Sequence, residues 1–341
     1  MNVARQSCEQ HLPQNTGRVP FWDVLKFFAI LSVVYGHVSG AFGCKMLEPY
    51  ISNFRIGMNM PLFFVISGYF AAKTIEKGDW RKFGFHLVGY FWPLATVSIV
   101  FTVLSVLFHV KGSECGFIGY AVRRFLFAGW FFWCLALCFG CVFLCRRIAS
   151  GWKYYLLLST IYCVLLIDIP FWHIGNMRAM LPFFIVGLIL ARSREVWKDW
   201  RIGFPCLGVY CSIAIFQGDI WENGLSFYNS PISWLGIMGD IKVLALAGIR
   251  FINGLIGCIG VCWIMHALLT KCTLLERLAP LGMTTLGVYV LHQWILARIP
   301  AREGWLATCA VTCFLFAVCH LITLLTNRIP FVRKWFWGVF L

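Results

Sequence analysis

Ten apolar stretches recur along this chain, at about residues 21–42, 56–73, 84–109, 125–144, 154–172, 179–191, 202–218, 241–268, 281–297 and 304–325. A helix that crosses the hydrocarbon core of a bilayer needs about 20 such residues. No water-soluble fold hides this much apolar surface: of the 341 residues, 60% are hydrophobic and 13% charged, about half the usual charged share. A backbone in hydrocarbon must satisfy its own hydrogen bonds. The expectation is therefore an all-α, polytopic integral membrane protein of about ten transmembrane helices. The sixth stretch is short and is expected to tilt, or to pair with the fifth as a broken unit.

Residues 1–20, MNVARQSCEQHLPQNTGRVP, are polar and lack the apolar region and cleavage site of a secretory signal. They are expected to form a flexible cytoplasmic tail, with residues 21–325 the membrane domain and residues 326–341 a cytoplasmic C-terminal tail. Loop charge sets the orientation. Of the 29 lysines and arginines, 18 fall in segments that share a side with the N-terminus. Lys45, Arg55, Lys111, Arg123, Arg124, Arg178, Arg298 and Arg302 fall on the other side, and Lys26, Lys242 and Arg250 in or at the spans. This bias places both termini in the cytoplasm, in a multi-pass protein of the cell (inner) membrane. Basic loops against anionic membrane lipid also account for the net charge of +15 without any nucleic-acid partner.

The 16 cysteines do not form a disulfide framework. Cys134, Cys138, Cys141 and Cys145, like Cys258, Cys262, Cys309, Cys313 and Cys319, lie in or at the ends of apolar stretches, where cysteine acts as a small apolar residue. No paired CxxC motif is present, so no metal site is expected. One disulfide between outer loops, Cys44 with Cys115, has the right placement but no further support.

The first stretch, DVLKFFAILSVVYGHV, carries two ionisable groups, Lys26 and His37, eleven residues apart. On a helix that spacing is about three turns plus about 20°, so both lie on one face, roughly 16 Å apart along the axis. Asp23 precedes Lys26 by three residues and can pair with it. An ionisable group within a span costs a few kcal/mol and points to function. For Lys26 the competing role is snorkelling to the interface; for His37 it is a packing hydrogen bond.

A basic residue followed eleven positions later by histidine in the first span resembles acyltransferase family 3, the integral-membrane enzymes that O-acylate cell-surface carbohydrates and related substrates. Further fragments resemble the family in the same order over about residues 20–325: MPLFFVISGYF (Met60–Phe70), WFFWCLAL (Trp130–Leu137), LPFFIVGLIL (Leu181–Leu190) and LERLAPLGMTTLGVYVLHQWIL (Leu275–Leu296). Two features depart from the pattern. Asn59 stands where many members carry a histidine, and the basic pair Arg81 and Lys82 stands well before Pro93, with His86 between.

The resemblance implies a cytoplasmic acyl-CoA donor, usually acetyl-CoA, as substrate with no permanently bound cofactor. It implies a carbohydrate or glycolipid acceptor beyond the membrane. Lys26, supported by Arg81 and Lys82, is placed to hold the donor's phosphates. His37 is then the general base for the acceptor hydroxyl, or takes the acyl group itself. The helix would act as a ruler between anchor and chemistry. Asn59 has two roles open to it, the acyl carbonyl or a neighbouring backbone group. Ser67, Tyr289 and His292 are candidates to line the substrate pocket, against helix packing. Arg250 is a candidate to bind an anionic group or to pair with Asp240 or Glu276, and His266 and His320 are read as packing groups. The outer loop Trp221–Asp240, rich in Asn, Ser, Trp and Tyr, is a candidate acceptor entrance. A transporter, or a non-catalytic subunit of a glycan export system, would also use intramembrane ionisable residues. No pair of Gly/Pro-broken spans at matching positions in two halves favours the transporter.

Overall fold

The computed structural model describes residues 20–42, 48–107, 117–165, 173–193, 198–216, 237–300, 304–335 and 337. Among these residues the chain is helical, with no strand. The helices are α1 (Pro20–Phe42), α2 (Glu48–Lys77), α3 (Trp80–Leu107), α4 (Phe117–Arg123), α5 (Trp130–Ile148), α6 (Trp152–Leu165) and α7 (Ile174–Leu190). They continue as α8 (Trp200–Phe216), α9 (Ile237–Lys271), α10 (Ala279–Gly282), α11 (Thr285–Leu296), α12 (Trp305–Arg328) and α13 (Pro330–Trp335). A π turn, Arg124–Ala128, joins α4 to α5, and a 3-10 turn, Thr273–Leu278, precedes α10.

A helix stands at each of the ten apolar stretches. Among the described residues, five are long and apolar enough to cross a bilayer: α1, α3, α5, the Gly248–Lys271 part of α9, and α12. A sixth is a bent pair, Thr273–Gly282 with Thr285–Leu296, at 66°. Helices α7 and α8 are apolar but shorter. By length and composition alone the described residues therefore do not reach ten spans. Among the described residues the broken unit is the ninth stretch; residues 166–172, which join the fifth stretch to the sixth, lie outside them. The segment expected as a C-terminal tail begins as helix, and the indole of the buried Trp337 donates to the Thr326 hydroxyl at 2.9 Å. The N-terminal tail through residue 19, the Cys44 and Cys115 positions, and residues 221–236 of the candidate acceptor loop lie outside the described residues.

Lipid is as apolar as leucine, so helices in a membrane associate through close packing and polar contacts. Two glycine contacts show this. Gly68 of α2 and Gly187 of α7 face one another so closely that a Cβ on either would strike the other helix's backbone, at Phe184 O or Val65 O. Helices α2 and α7 form the most extensive pairing in the bundle. Gly282, at the bend before α11, meets the backbone carbonyl of Asp23 in the same way. Helix α1 is the hub: it packs on α2, α9, α10, α11 and α12. Tyr210 of α8 donates its hydroxyl to the Phe54 carbonyl, which ties α8 to α2.

Candidate active site

The bend between α10 and α11 helps to build a cavity. By lying against Asp23, Gly282 turns the following residues around Lys26, one turn further along α1. The cavity has a volume of about 370 Å³, within the range of small-molecule sites. Its polar wall comes from Lys26 (α1), Ser67 (α2), His86 and Tyr90 (α3), Thr285 and Tyr289 (α11). Phe131, Phe132 and Leu135 of α5 complete it with apolar surface. Pro93 has no N–H to give the carbonyl of Gly89, one turn back, and Gly89 also lines the cavity.

Lys26 lines the cavity. Its Nζ lies 3.3 Å from Asp23 Oδ1, and 4.7 Å above the centre of the Phe70 ring. Asp23 is itself buried, 3% exposed, so the lysine is held at the cavity wall by a carboxylate it partly desolvates. Arg81 and Lys82 do not line the cavity, and both are exposed. Arg81 covers the Phe85 ring at 5.7 Å, and Phe85 does line it; Lys82 pairs with Asp79 at 3.8 Å. The two basic residues thus stand outside the wall, with Arg81 behind one of its members.

The far end of α1 carries a second polar group of residues. His37 is exposed at the surface of the bundle, near the α1 terminus at Phe42. The buried imidazole of the pair is His292, 1% exposed, on α11. The two rings lie 5.1 Å apart, tilted by 42°. A carbonyl can only accept, so the 3.0 Å contact of His292 Nδ1 with Val288 O puts a proton on Nδ1. That leaves Nε2 as a buried lone pair with no hydrogen-bond partner. The Gln293 side-chain amide reaches Nε2 of His37 at 3.3 Å. An amide can turn either end to that nitrogen; with its oxygen facing an Nε2–H it leaves the base lone pair on Nδ1.

Tyr289 joins the two ends. It lines the large cavity and also a small pocket of about 30 Å³ shared with Ser98, Arg124 and Gln293. Its ring packs against Phe131 and Phe132 at 5.1 Å and lies 5.9 Å from that of His292. From Lys26 a continuous line of α11 side chains therefore leads through Tyr289 to His292, Gln293 and His37.

The remaining candidates divide. Ser67 lines the cavity while its neighbour Gly68 makes the α2–α7 contact, so the two readings of that pair apply to different residues. Asn59 is buried, does not line the cavity, and accepts at 2.7 Å from the Met60 N–H, the local backbone role. His320 Nδ1 donates to Thr284 Oγ1 at 2.7 Å, and Thr284 in turn donates to the Leu281 carbonyl, which braces the bend. Arg250 is buried on α9; Glu276 is exposed, and the side chain of Asp240 lies outside the described residues.

Sequence reasoning missed Gln293 and also His86, which lines the cavity and whose Nε2 lies 3.4 Å from Thr74 Oγ1. Both are polar residues in otherwise apolar runs, and that was the available signal. It also missed Arg55, whose guanidinium fills the space a Cβ on Gly36 would need, beside His37.

A family model described as an acyltransferase domain, that of acyltransferase family 3, matches residues 19–324. Nodulation protein NolL of Sinorhizobium fredii (strain NBRC 101917 / NGR234) is 27% identical over 225 residues, which is 61% of this chain and 59% of that protein. The chain thus spans about three-fifths of the length of that relative. No solved structure matches the chain significantly.

Proposed function

The chain belongs to acyltransferase family 3, and from that membership and the site's geometry we propose that it passes an acetyl group from cytoplasmic acetyl-CoA to a hydroxyl of a glycan on the other side of the membrane. The observation that carries the proposal is the line of side chains from Lys26 to His37. Lys26 borders a cavity large enough for the pantetheine arm, and His37 stands at the opposite end of α1.

The donor's phosphates stay at the Lys26 end, with Lys26 as a fixed donor to them and Arg81 and Lys82 as the exposed positive charge around the mouth. Ser67, Tyr289 and the ring of His86 border the arm, and the thioester lies beyond Tyr289. The acceptor hydroxyl approaches from the exposed side of His37. As its oxygen attacks the thioester carbonyl, a C–O bond forms and the C–S bond breaks. The proton passes to the His37 lone pair and then to the departing thiolate of CoA. Imidazole titrates near neutral pH, which suits both transfers. Gln293 fixes the His37 ring, and His292, pinned by Val288, presents a second lone pair beside it. If His37 carries the acyl group instead, the same neighbours serve a two-step transfer.

The basic bias of the loops puts the Lys26 end in the cytoplasm, so CoA need not cross the bilayer. The test is whether purified protein hydrolyses acetyl-CoA slowly without acceptor, and whether surface glycans of a deletion strain lose O-acetyl groups. A preparation that binds no acetyl-CoA and a strain with unchanged glycans would reject the reading.

A further inference from the structure

Two arginines at the His37 end take no part in the chemistry above. Arg124 lies in the π turn Arg124–Ala128, a geometry that recurs at functional sites, and Arg298 follows α11. Both guanidinium groups rest on one aromatic stack. Arg298 lies 3.5 Å over Trp294; Trp294 stacks on Phe101 at 4.5 Å and 5°; Arg124 lies 5.7 Å over Phe101. Within the protein Arg124 Nη1 donates to the Tyr120 hydroxyl at 3.3 Å and Arg298 Nη1 to the Trp294 carbonyl at 2.7 Å.

Each guanidinium has five N–H donors, so most remain to be used. Among the described residues the ion pairs are Lys26–Asp23, Lys82–Asp79 and Arg192–Glu76, and neither arginine has a carboxylate partner. Burial, and then the charge of Arg124, push the Arg298 pKa down, while the nearby Tyr120 pushes it up. Each guanidinium fork can grip an anion bidentately, and an anion near both relieves the repulsion between the two charges. The cluster adjoins the reacting group: Arg124, Gln293 and Tyr289 share the small pocket, and Gln293 touches His37. At about 30 Å³ that pocket admits a water-sized group, so a larger molecule held by the arginines stays at its mouth.

We propose that Arg124 and Arg298 form an anion-binding subsite for the acceptor, so that the hydroxyl to be acylated belongs to a molecule carrying a phosphate, carboxylate or sulfate. The assignment to the acceptor rests on the acyltransferase reading; the anion site itself does not. Such an anion would orient the acceptor with its hydroxyl toward His37.

The full chain, purified in neutral-detergent micelles, is titrated with glucose 6-phosphate, glucuronate and glucose while its thermal unfolding is followed. Both anionic sugars are expected to raise the unfolding temperature saturably, and glucose is not. Arg124→Gln combined with Arg298→Gln should raise the half-saturating concentration at least tenfold, and the paired lysine variants, which keep the charge, should raise it less. Equal stabilisation by glucose, or an unchanged half-saturation in the glutamine variant, would overturn the proposal. So would loss of the shift in Lys26→Ala rather than in the arginine variant, because the anion would then sit at the donor end. A parallel titration adds phosphatidylglycerol to the micelles. If that lipid alone stabilises through the arginines, the subsite holds a lipid headgroup and the assignment to the acceptor falls. Acetyl-CoA hydrolysis by the same wild-type preparation reports separately on the acyltransferase reading: without hydrolysis but with arginine-dependent anion binding, that reading fails and the anion site stands.

Discussion

The imidazoles of His37 and His292 lie 5.1 Å apart, yet they come from the first and eleventh helices of the chain. One is exposed and the other is 1% exposed. The exposed ring can meet a molecule arriving from outside the bundle, while the buried ring can act only through its neighbour or on a group already inside. On the proposed function, this division gives the acceptor to His37 and a positioning role to His292.

The first prediction separates those roles. His37→Ala should lower kcat by about 10²- to 10⁴-fold, the range for loss of a general base, with expression and folding nearly intact. His292→Gln should lower kcat by about tenfold, worth roughly 1.4 kcal/mol, and leave the KM for acyl-CoA unchanged. Steady-state kinetics on both variants decides the matter. Most of the turnover surviving in His37→Ala would remove it from the chemistry.

The second prediction concerns the donor. Lys26→Ala should weaken CoA binding by about 10- to 100-fold, since hydrogen bonds to charged groups contribute roughly 1.5–3 kcal/mol. Lys26→Arg should keep part of the affinity, because the charge remains although its geometry changes. Calorimetric titration of CoA into each variant measures this. Unchanged affinity in Lys26→Ala would reduce the residue to a partner of Asp23.

The third prediction is structural. Gly282→Ala puts a methyl group into the backbone carbonyl of Asp23, and a backbone cannot turn aside as a flexible side chain can. The cost expected for such overpacking is about 1–3 kcal/mol, seen as a lower unfolding temperature together with a higher KM for acyl-CoA as Lys26 shifts. Gly208→Ala, with nothing near its Cβ, should change stability by no more than about 0.5 kcal/mol. Similar unfolding temperatures for the two variants would show that the bend does not rest on Gly282.

Much of this was legible in the sequence, and the reason is local. Hydropathy marks each helix because a bilayer imposes the same requirement on every span, so all ten stretches became helices. The spacing of Lys26 and His37 follows from helix geometry alone, and so did their placement at two ends of α1. Which helix each residue faces is set by long-range packing, and no period in the sequence reports it. Hence Arg81 and Lys82, adjacent to the third stretch, were expected at the donor cavity, while His86, one turn further, is the residue that reaches its wall. The meeting of Gln293 with His37 likewise depends on the 66° bend of the ninth stretch, which Gly282 permits by packing against a helix far away in sequence.

The last prediction tests the direction of transfer. In the proposed orientation the start of α1 lies on the cytoplasmic side, and the His37 end on the other. Ser39, close to that end, is buried and would escape any reagent, but Gly40 is exposed and nothing lies near the position of its Cβ. Lys153, at the start of α6, is exposed and belongs to the side of the N-terminus by the same charge rule. In a variant with its native cysteines replaced, Gly40→Cys should react with a membrane-impermeant thiol reagent in intact cells. Lys153→Cys should react only after the cells are opened. The reverse pattern would invert the molecule, place His37 in the cytoplasm beside the donor's phosphates, and end the case for passing the acyl group across the membrane. The expected pattern would leave His37 on the far side from CoA, where the arm crossing past Tyr289 is the route by which the thioester reaches an acceptor outside.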